Sequence, residues 1–582
     1  MPSEFSPNQK AHPADTDVSA EKTEILLHRY VTTTAVSALL LFAASSEAQS
    51  NLNTPGVRFR LERADVMRGP EAFGEDNYFN SYLVSSGSFR GFTANACSNP
   101  SGTGTANYNC THAIDGTAAW DVGAATTTSA FHKNVIAADG TNPAWAYCGQ
   151  WLNSTVVYNN TMYGFAHGEA ASPNQGNTNC STYSTHHKTM TRWTSTTGSN
   201  AGLSWSSALK VIDSTDGDSG SGESGLGDCT AIADSTYAYL FCRKPTDIAT
   251  VAARAPLSSL GQSSAMFTMY DNGWGSQPGI NGADSELSGY MQGTTTASYK
   301  PGSSVSQWAD KGWAMFLNVE DITSGGVKTS FTAMSNLQSN SIGFSTLPAP
   351  LFVQETPGGH YPYGNQPGVN LYIYPSAVSL ADGSRNWNIS TSGQFLLAYT
   401  FVPPQNTLQQ RILAMRSVTV TTSGTAQDPQ VLADLSTRYD ANLDQYYSST
   451  QPLAEGPDYT PGTFATRYQD TLAYLPQLPA SNPVSQGQNM TKILECRNTS
   501  GWPGTGHVDH LVTSGACDSG YTEVAVAGYT YPNTPASGNG IQIYRCTVPQ
   551  TLTVAATHFV TASNNCDGKA NMEKSLGWAL KN

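Results

Sequence analysis

The chain has 582 residues and an acidic balance, with 29 basic and 43 acidic side chains and a formal net charge of −14. Charged residues make up only 12% of the sequence, about half of the share usual in soluble domains, whereas aromatic residues reach 10% and glycines number 53. An acidic chain without a Lys/Arg cluster argues against a nucleic acid or an anionic membrane surface as partner. The length predicts two domains, and the abundance of Gly, Ser, Thr and Asn predicts many turns and strands.

Residues 31–48 have the pattern of a secretory signal. Val36–Ala43 forms a short apolar core, and Ser46–Ala48 fits a cleavage site of small residues. We therefore expect residues 1–48 to be a signal peptide and the mature chain to begin near Gln49, exported to the extracellular space or the periplasm. No later apolar run is long enough to span a bilayer, so membrane insertion is not expected.

The ten cysteines are an even number, and export permits disulfides. Cys229 and Cys242 flank a predicted hairpin and are expected to pair across it. No Cys-x-x-Cys pair is present, so a zinc site is not predicted, and nothing in the sequence calls for a cofactor or a metal ion. Pairing of sequence neighbours is the simplest arrangement for the other cysteines, although other connectivities stay open: Cys97–Cys110, Cys148–Cys180, Cys496–Cys517 and Cys546–Cys566.

The stretch Val156–Asp228 concentrates polar side chains at predicted strand ends. Val156–Tyr158 and Tyr163–Ala166 are predicted to be two strands of a hairpin, because Asn159-Asn160 between them tolerates the positive φ of a tight turn. The second strand runs into His167-Gly168-Glu169. A carboxylate at a strand end beside a glycine fits a site on a rigid β scaffold, and a merely solvated strand end is the alternative.

A turn followed by an aromatic-rich strand recurs along the chain. The first three copies begin 74 and 76 residues apart, which fits the blades of a propeller, each a small antiparallel sheet. The last two begin only 24 residues apart, too close for two full blades, so they can share one. With helical periodicity nearly absent, we predict an all-β fold with a β-propeller over residues 49–427, and a large β-sandwich is the alternative. The copies begin at Tyr163, Tyr237, Trp313, Leu371 and Phe395.

A second repeat begins near residue 428. Each of its two clear copies has Gly eleven residues after the second Cys, and a fainter copy without cysteines lies upstream at 438–474. Three copies in about 150 residues predict a three-fold, β-trefoil-like domain over 428–582. The recurrence of Arg, His and Cys at fixed positions predicts structural roles for them. The two clear copies are Cys496-Arg497, His510, Cys517 and Gly528, then Arg545-Cys546, His558, Cys566 and Gly577.

Carboxylates at converging strand ends are the groups that glycosidic hydrolysis requires, one to donate a proton and one to activate water or attack the anomeric carbon. Glu169 is the predicted general acid. Asp228, which a disulfide at Cys229 would hold rigid, is predicted to orient the sugar or control the charge of the acid. For each candidate a solvated surface carboxylate is the alternative. The candidates in chain order are Asp115, Asp121, Glu169, Asp228, Asp284 and Glu286.

Basic and aromatic side chains accompany these carboxylates and are predicted to bind substrate. The basic ones can bind sugar hydroxyls or tune a carboxyl pKa, and an exposed loop pair is the alternative for His186-His187. The tryptophans can stack on sugar rings, and a core position is the alternative for each. These predicted substrate-binding residues are His167, His187, Lys188, Arg254, Trp120 and Trp274.

Two further motifs do not predict a site. Gly217-Asp218-Ser219-Gly220 mimics a serine-protease nucleophile loop, but no His-Cys segment upstream supplies the general base. The acidic residues from Asp213 to Glu223 fail the spacing of a twelve-residue calcium loop. A flexible acidic loop is the better interpretation of this segment.

Several of these motifs together resemble secreted propeller glycosidases with five blades, of arabinofuranosidase and invertase type. The resemblance extends over about 70–425 and rests on Tyr163–Glu169, Gly227-Asp228-Cys229, Ala252–Pro256, Gly273-Trp274 and Arg411–Leu413. It implies five blades and three acidic residues from different blades: an early base or nucleophile, then an orienting Asp, then the acid Glu. Glu169 and Asp228 match in kind, and the early Asp is either Asp115 or Asp121.

The tail resembles a Cys-containing repeat module appended to secreted bacterial hydrolases, which implies a binding role. The residues that carry this resemblance are Tyr544–Cys546, His558-Phe559, Cys566-Asp567 and Leu576–Trp578. The whole sequence therefore predicts an exported glycoside hydrolase that acts on a polysaccharide or glycan. A non-catalytic lectin or adhesin on the same scaffold is the alternative, and the sequence does not indicate an oligomeric state.

Overall fold

The computed structural model describes residues 58–66, 77–96, 109–117, 131–136, 148–170, 186–206, 208–214, 223–244, 249–262, 267–285, 287, 303–308, 313–322, 326–335, 349–353, 371–387, 392–402, 412–421, 431–440, 445–450, 466–477, 490–498, 509–535, 538–549 and 557–581. Within these ranges the chain is all-β, as predicted, with two short 3₁₀ segments at Leu257–Ser259 and Cys566–Gly568. The signal sequence predicted over 1–48 lies outside the described residues, as do Trp120 and Asp121.

The first described strand, β1 (Arg58–Val66), precedes a nine-stranded sheet built from two groups of strands. The first group is β2 (Asn80–Ser85), β3 (Ser88–Ala96), β4 (Asn109–Gly116) and β5 (Phe131–Ile136). The second group is β6 (Gly149–Tyr158), β7 (Thr161–Ala170), β8 (His186–Thr196), β9 (Leu209–Ile212) and β10 (Glu223–Gly225). A parallel bridge between Asn109 and Gly149 joins β4 to β6.

Two five-stranded sheets follow. The strands of one are β11 (Gly227–Ala233), β12 (Tyr237–Lys244), β13 (Ala249–Pro256), β14 (Thr268–Tyr270) and β15 (Trp274–Pro278). The first four strands of the other are β16 (Ser303–Trp308), β17 (Trp313–Ile322), β18 (Gly326–Ser335) and β19 (Ala349–Val353). Its fifth strand is β21 (Asn386–Trp387), which pairs with β16. Between β19 and β21 the chain forms β20 (Leu371–Ser379), which belongs to the next group.

The first described strand, β1, belongs to the next group of strands. β20, β22 (Ser392–Val402) and β23 (Ile412–Thr421) pair antiparallel in sequence order, and β1 pairs antiparallel with β23. On its other edge β1 pairs parallel with β24 (Val431–Asp440), so the sheet continues into the C-terminal strands. The domain boundary predicted at 427/428 falls between β23 and β24 and stays a prediction.

The opening strands of the five groups lie side by side. β6 contacts β2 and β11, β16 contacts β11 and β20, and β20 contacts β2. The succession of neighbours therefore runs from the first group to the fifth and returns to the first. Phe165 of β7, Met190 of β8 and Leu240 of β12 share one buried core between the second and third groups.

Local sequence signals match the strands that form. Asn159 and Asn160 have φ of +47° and +57° and connect β6 to β7 in the predicted hairpin, because Asn adopts the left-handed region more easily than most residues. The aromatic segments predicted to be strands lie in β7, β12, β17, β20 and β22. The last two pair with each other in one sheet, as their short spacing predicted.

The C-terminal strands form three groups of three. In each group the first strand pairs antiparallel with both of the others. The three middle strands contact one another, as do the three last strands, and Leu435, Ile493 and Ile543 of the first strands share one core. The groups are β24, β25 (Gln445–Ser449) and β26 (Thr466–Pro476); β27 (Thr491–Asn498), β28 (His510–Ser514) and β29 (Tyr521–Thr530); β30 (Gly540–Val548), β31 (Thr557–Thr561) and β32 (Asn571–Leu580).

The repeated glycine of this tail marks a close crossing between groups. Gly528 and Gly577 have φ of +142° and +106°. A Cβ on Gly528 would lie 2.7 Å from Cβ of Leu475, and a Cβ on Gly577 would lie 2.7 Å from Oγ1 of Thr530. Each glycine thus abuts the last strand of the preceding group, where a side chain would overlap that strand.

Three of the predicted disulfides are present: Cys229–Cys242, Cys496–Cys517 and Cys546–Cys566. Cys110 and Cys148 are also disulfide-bonded, while Cys97 and Cys180 lie outside the described residues. Disulfides form and persist in oxidising environments. In the described part of the chain no helix is long and apolar enough to cross a membrane.

Candidate active site

Four of the predicted site residues meet where β7 ends and β8 begins. Because β7 and β8 are antiparallel, Glu169 lies opposite Lys188 and Ala170 lies opposite His187. Glu169 also pairs with Gly149 at the start of β6. β10 then runs parallel to β8, and Asp228 is the second residue of β11. We call His167, Glu169, Lys188 and Asp228 the carboxylate cluster.

Two glycines allow the β10–β11 backbone to approach this cluster. Gly225 has φ of +80°, and a Cβ there would overlap the backbone oxygen of Lys188. A Cβ on Gly227 would lie 2.8 Å from Cβ of Lys188 and 2.9 Å from Cε1 of His167. Asp228 itself adopts φ of +50°, and Cys229 after it is tied to Cys242. The disulfide therefore holds the backbone beside Asp228, as the sequence predicted.

His167 lies between the two carboxylates. Its Nε2 is 3.0 Å from Oε1 of Glu169, and its Nδ1 is 3.0 Å from Oδ1 of Asp228. The backbone N–H of Asp228 also points at Nδ1 over 2.9 Å. The neutral ring therefore accepts this N–H at Nδ1 and donates Nε2–H to Glu169, whereas the protonated ring donates to both carboxylates.

Burial and charge act in opposite directions on His167. Its side chain is 3% exposed, against 12% for Glu169 and 14% for Asp228. Burial alone would lower the pKa of His167, but the Asp228 and Glu169 carboxylates outweigh burial, so the pKa is raised above its usual value. A proton is therefore held between the two carboxylates at a pH where a solvated imidazole would be losing it.

Lys188 completes the cluster. Its Nζ donates to Oδ2 of Asp228 over 3.3 Å, and its side chain is buried. Trp151 of β6 packs edge-on against the His167 ring with centroids 5.1 Å apart. The aromatic edge fixes the plane of the ring, and the ammonium compensates the charge of Asp228.

His187 belongs to a second buried network beside the first. Its Nε2 is 2.7 Å from Oδ1 of Asp213, and its Nδ1 is 3.0 Å from Oγ of Ser224. Lys210 donates to the other Asp213 oxygen over 2.6 Å. Burial would raise the pKa of Asp213, but hydrogen bonds from His187 and Lys210 outweigh it, so the pKa is lowered. His187 is thus engaged with protein groups.

Asp213 and Ser224 were not among the predicted site residues. Asp213 follows the apolar pair Val211-Ile212 at the end of β9, and Ser224 stands beside Gly225 in β10. The position of Asp213 directly after a short apolar strand could have indicated this residue from the sequence. The parallel pairing of β10 with β8, which sets Ser224 opposite His187, is not local in sequence.

Asp115 lies away from the carboxylate cluster. Asn109 in β4 bridges to Gly149, which lies opposite Glu169. Asp115 lies six residues further along β4 than Asn109. Six residues of strand span about 20 Å. Arg90 binds both of its oxygens over 2.5 and 2.9 Å. Burial would raise the pKa of Asp115, but the hydrogen bonds from Arg90 and His132 outweigh it and lower the pKa.

Arg254 and Trp274 form a separate aromatic patch. The guanidinium of Arg254 lies 4.4 Å from the ring centroids of both Tyr237 and Trp274, a cation–π arrangement. Arg254 faces away from the core that its neighbours Ala253 and Ala255 enter. Through the register of β11, β12 and β13 it aligns with Ile232, four residues from Asp228, which is about 13 Å of strand.

The structure thus brings together His167, Glu169, Lys188 and Asp228, with His187 adjacent. It does not bring Asp115, Arg254 or Trp274 into that group. Asp284, another candidate, accepts from Lys244 over 3.1 Å. Trp120, Asp121 and Glu286 lie outside the described residues, so their predicted roles are not addressed by this geometry.

Comparison with known proteins gives structural matches alone. No protein-family model matches the chain, and no curated protein matches it. An alpha-L-arabinofuranosidase from Podospora anserina in complex with cellotriose is 10% identical, with 62% of this chain and 97% of that chain covered and a TM-score of 0.37. The catalytic domain of an alpha-L-arabinofuranosidase from Coprinopsis cinerea is 11% identical, with coverage of 64% and 99% and a TM-score of 0.36. A beta-fructofuranosidase from Bombyx mori is 10% identical, with coverage of 97% and 99% and a TM-score of 0.39.

Proposed function

We propose that the protein is an exported glycoside hydrolase with its active site at the carboxylate cluster, acting on a polysaccharide or glycan. The observation that carries the proposal is the placement of Glu169 and Asp228 on opposite nitrogens of the His167 ring. Glycosidic hydrolysis needs two carboxyl groups in different protonation states. The surroundings of the two carboxylates support such a difference, because Asp228 also faces the Lys188 ammonium, whose charge stabilises the ionised form of Asp228.

Glu169 is the general acid of the proposed reaction. It is the second-last residue of β7, and its side chain is 12% exposed, so a glycosidic oxygen can approach the carboxyl from outside. His167 Nε2 holds the proton against Oε1 of Glu169 and passes it to the carboxyl as the leaving oxygen takes the acid's proton. Asp228 stabilises the charge on the ring through Nδ1, and Lys188 compensates Asp228.

The base or nucleophile is Asp121 in this proposal. The sequence left Asp115 and Asp121 as equal candidates. Arg90 engages both oxygens of Asp115, and the register sets Asp115 about 20 Å of strand away from Glu169. A carboxylate so placed is a poor partner for an acid across one sugar ring.

The proposed scaffold is a five-bladed propeller followed by a β-trefoil-like domain. The neighbouring contacts of β2, β6, β11, β16 and β20 support five blades around one axis. The pairing of β1 with β23 supports closure of the last blade by the N-terminal strand. Three groups of three strands with matching contacts support the three-fold tail. The proposed limits are 1–48 for the signal peptide, 49–427 for the propeller and 428–582 for the tail, which would bind glycan.

A non-catalytic lectin or adhesin is the second candidate. The observation that favours it is the closure of the carboxylate cluster, in which His167 and Lys188 are buried and every charge has a partner. Such a network can hold β7, β8 and β11 together without doing chemistry. Glycan binding would then reside on partly exposed aromatic surfaces such as the patch around Arg254 and Trp274.

The deciding experiment compares the wild-type protein with Glu169→Gln on a panel of aryl glycosides and polysaccharides. Glu169→Gln keeps the side-chain shape and removes the ionisable proton, so turnover should fall by about 10²–10⁴-fold. Turnover should partly survive on aryl glycosides whose leaving groups need no protonation. Asp567→Asn, at an exposed carboxylate of the tail, is the matched control and should keep full activity on the aryl glycosides, which are too small to depend on binding by the tail.

Two results would refute the hydrolase proposal. One is full activity of folded Glu169→Gln on the substrate that the wild type cleaves best. The other is glycan binding by a folded wild-type protein that cleaves no member of the panel, which would favour the lectin.

A further inference from the structure

Trp151 lies on the side of β6 that faces the carboxylate cluster. In the register of β6 and β7, Trp151 lies opposite His167, and Gly149 lies opposite Glu169. Because residues alternate between the two sides of a strand, these four positions share one side of the sheet. The carboxylate cluster is therefore flanked by an aromatic side chain of the neighbouring strand, to which the proposed reaction assigns no role.

The indole of Trp151 fills the space that a side chain at position 149 would occupy. A Cβ on Gly149 would overlap Cζ3 and Cη2 of the indole, so the six-membered ring lies directly on the backbone of this glycine. Opposite positions of an antiparallel pair hold side chains about 4.5–5.5 Å apart. The ring therefore stands beside the side chain of Glu169, on the side away from Lys188, which lies opposite Glu169 on β8.

Packing sets the position of this ring. Trp151 is 7% exposed, and its Nε1 makes no hydrogen bond among the described residues. The indole meets the His167 ring edge-on, with 77° between the ring planes. Cys148, next to Gly149, is disulfide-bonded, and its backbone N–H donates to the backbone oxygen of Glu169 over 2.9 Å. The backbone on which the indole lies is therefore fixed to the strand that carries the cluster.

The indole acts on the two groups that move a proton in the proposed reaction. Nε2 of His167 and Oε1 of Glu169 are 3.0 Å apart, on side chains that are 3% and 12% exposed. An apolar ring beside them keeps water from this hydrogen bond, and a hydrogen bond is electrostatically stronger in surroundings of low dielectric constant. The edge-on contact also opposes rotation of the imidazole away from Glu169.

We propose, on the basis of the hydrolase function proposed above, that Trp151 is a positioning residue that holds His167 and Glu169 in the geometry for protonating the leaving group. A displacement of about 1 Å at a reacting group costs about 10²-fold in rate. The loss should depend on the substrate, because only a leaving group that must be protonated needs an oriented acid. A role of Trp151 in folding alone would change the cleavage of all substrates by the same factor.

Two glycosides of the sugar that the wild type cleaves best test this role in the full-length protein. One carries a phenyl leaving group, which needs protonation, and the other carries a dinitrophenyl leaving group, which does not. Trp151→Leu should lower kcat/KM on the phenyl glycoside by about 10–10²-fold and on the dinitrophenyl glycoside by less than about threefold. Trp151→Phe keeps an aromatic edge toward His167 and should recover most of the loss. Gly149→Ala should reproduce the loss, because the added Cβ displaces the indole.

Gly164→Ala is the matched control for Gly149→Ala. Its added Cβ would lie 2.6 Å from Cζ3 of Trp205, so this substitution also displaces an indole. Gly164 lies five residues before Glu169 on β7, which is about 17 Å of strand. Gly164→Ala should therefore lower Tm and leave the ratio of the two kcat/KM values unchanged.

The outcomes separate the role of Trp151 from the proposed hydrolysis. Equal losses on both glycosides, or no loss in folded Trp151→Leu and Gly149→Ala, would overturn the role of Trp151. If Trp151→Leu does not fold, Gly149→Ala decides. Glu169→Gln is measured on the same two glycosides. If Glu169→Gln shows no loss that depends on the leaving group, the proposed hydrolysis itself fails, and the role of Trp151 fails with it.

Discussion

Gly227 passes so close to the His167 ring that an added Cβ would lie 2.9 Å from both Cε1 and Nδ1 of the imidazole. The same Cβ would lie 2.8 Å from Cβ of Lys188. The glycine is therefore what allows the N–H of Asp228 to reach Nδ1 over 2.9 Å. Packing at this crossing and the hydrogen bonding of the proposed active site depend on one missing side chain.

Gly227→Ala should displace either β11 or the His167 ring. Overpacking of a well-packed position costs about 1–3 kcal/mol, so the free energy of unfolding should fall by that amount. Turnover should fall as well, because the Asp228–His167 geometry changes. Urea unfolding and kinetics measure the two effects. Gly275→Ala, where a Cβ meets nothing within 4 Å, is the control, and equal effects of the two variants would contradict the packing argument.

Local features of this fold were predictable from sequence. The Asn159-Asn160 turn, the aromatic strands and the Cys229–Cys242 pair each depend on residues close together in the chain. Glu169 and Lys188 lie opposite each other on β7 and β8, which follow one another in the chain. The physical reason is that turn chemistry and strand periodicity act over a few residues.

The remaining features depend on pairing between distant strands. In the sequence, Asp115 could not be distinguished from the other candidate acids. Its distance from Glu169 depends on the Asn109–Gly149 bridge and on the pairing of β4 with β3, which local sequence does not reveal. Arg254 was assigned to the cluster, but it faces the side of β13 opposite the core.

The pH dependence of stability follows from shifted pKa values. The His167 pKa is raised from its usual 6.5, so its contribution is complete below about pH 6.5 and is lost as pH rises through the folded-state value. The pKa values of Asp115 and Asp213 are lowered from 3.8, so their contributions are complete above about pH 3.8 and are lost as pH falls through the folded-state values. The free energy of unfolding should therefore be greatest between about pH 4 and 6.5, as urea titrations across pH can measure.

His558 allows this dependence to be tested away from the proposed active site. Its Nδ1 is 2.8 Å from Oδ2 of Asp509, and its Nε2 is 3.5 Å from Oε1 of Glu573. Burial would lower the pKa of His558, but Asp509 outweighs burial and the pKa is raised. His558→Gln should flatten the loss of stability above pH 6.5, with the effect largest at acidic pH. An unchanged slope would show that His558 does not bind its extra proton in the folded state.

The repeated glycines of the tail should differ in tolerance from other glycines with positive φ. Gly528→Ala meets both an unfavourable φ and overlap with Leu475, and a loss of about 2–4 kcal/mol is expected. Gly568→Ala, with φ of +70° and nothing within 4 Å of the added Cβ, should lose only about 1–2 kcal/mol. Thermal and urea unfolding compare them. Equal losses would mean that the crossing onto β26 is not tightly packed.

Asp213 should stabilise the buried network that it forms with His187 and Lys210. Asp213→Asn keeps the side-chain shape but removes the charge that His187 and Lys210 share. Leaving a buried cation without its partner costs about 3–5 kcal/mol when both groups are fully buried, and Lys210 is partly exposed, so about 1–3 kcal/mol is expected. Asp213→Asn should be less stable than the wild type near neutral pH. This difference should disappear in acid, where Asp213 of the wild type becomes protonated. A loss that persists unchanged in acid would assign the effect to packing.

Asp115 gives a direct test of which early carboxylate takes part in hydrolysis. In the proposal it is a structural anchor that binds Arg90 through two hydrogen bonds, and Arg90 in turn donates to the backbone oxygens of Ser199 and Ala201. Asp115→Asn should therefore lower the free energy of unfolding. The loss should be about 1–2 kcal/mol, since the carboxylate is 32% exposed and its pairing is weakened by solvent.

Turnover separates this role from catalysis. Folded Asp115→Asn should keep kcat within about threefold of wild type, whereas Asp121→Asn should lose about 10²–10⁴-fold. Arg90→Gln is the matched variant, and in a double-mutant cycle with Asp115→Asn it should couple in stability and not in kcat, because the pair acts on folding alone. A loss of kcat in stable Asp115→Asn as large as in Glu169→Gln would transfer the base role back to Asp115 and require that β4 approach the cluster more closely than its register allows.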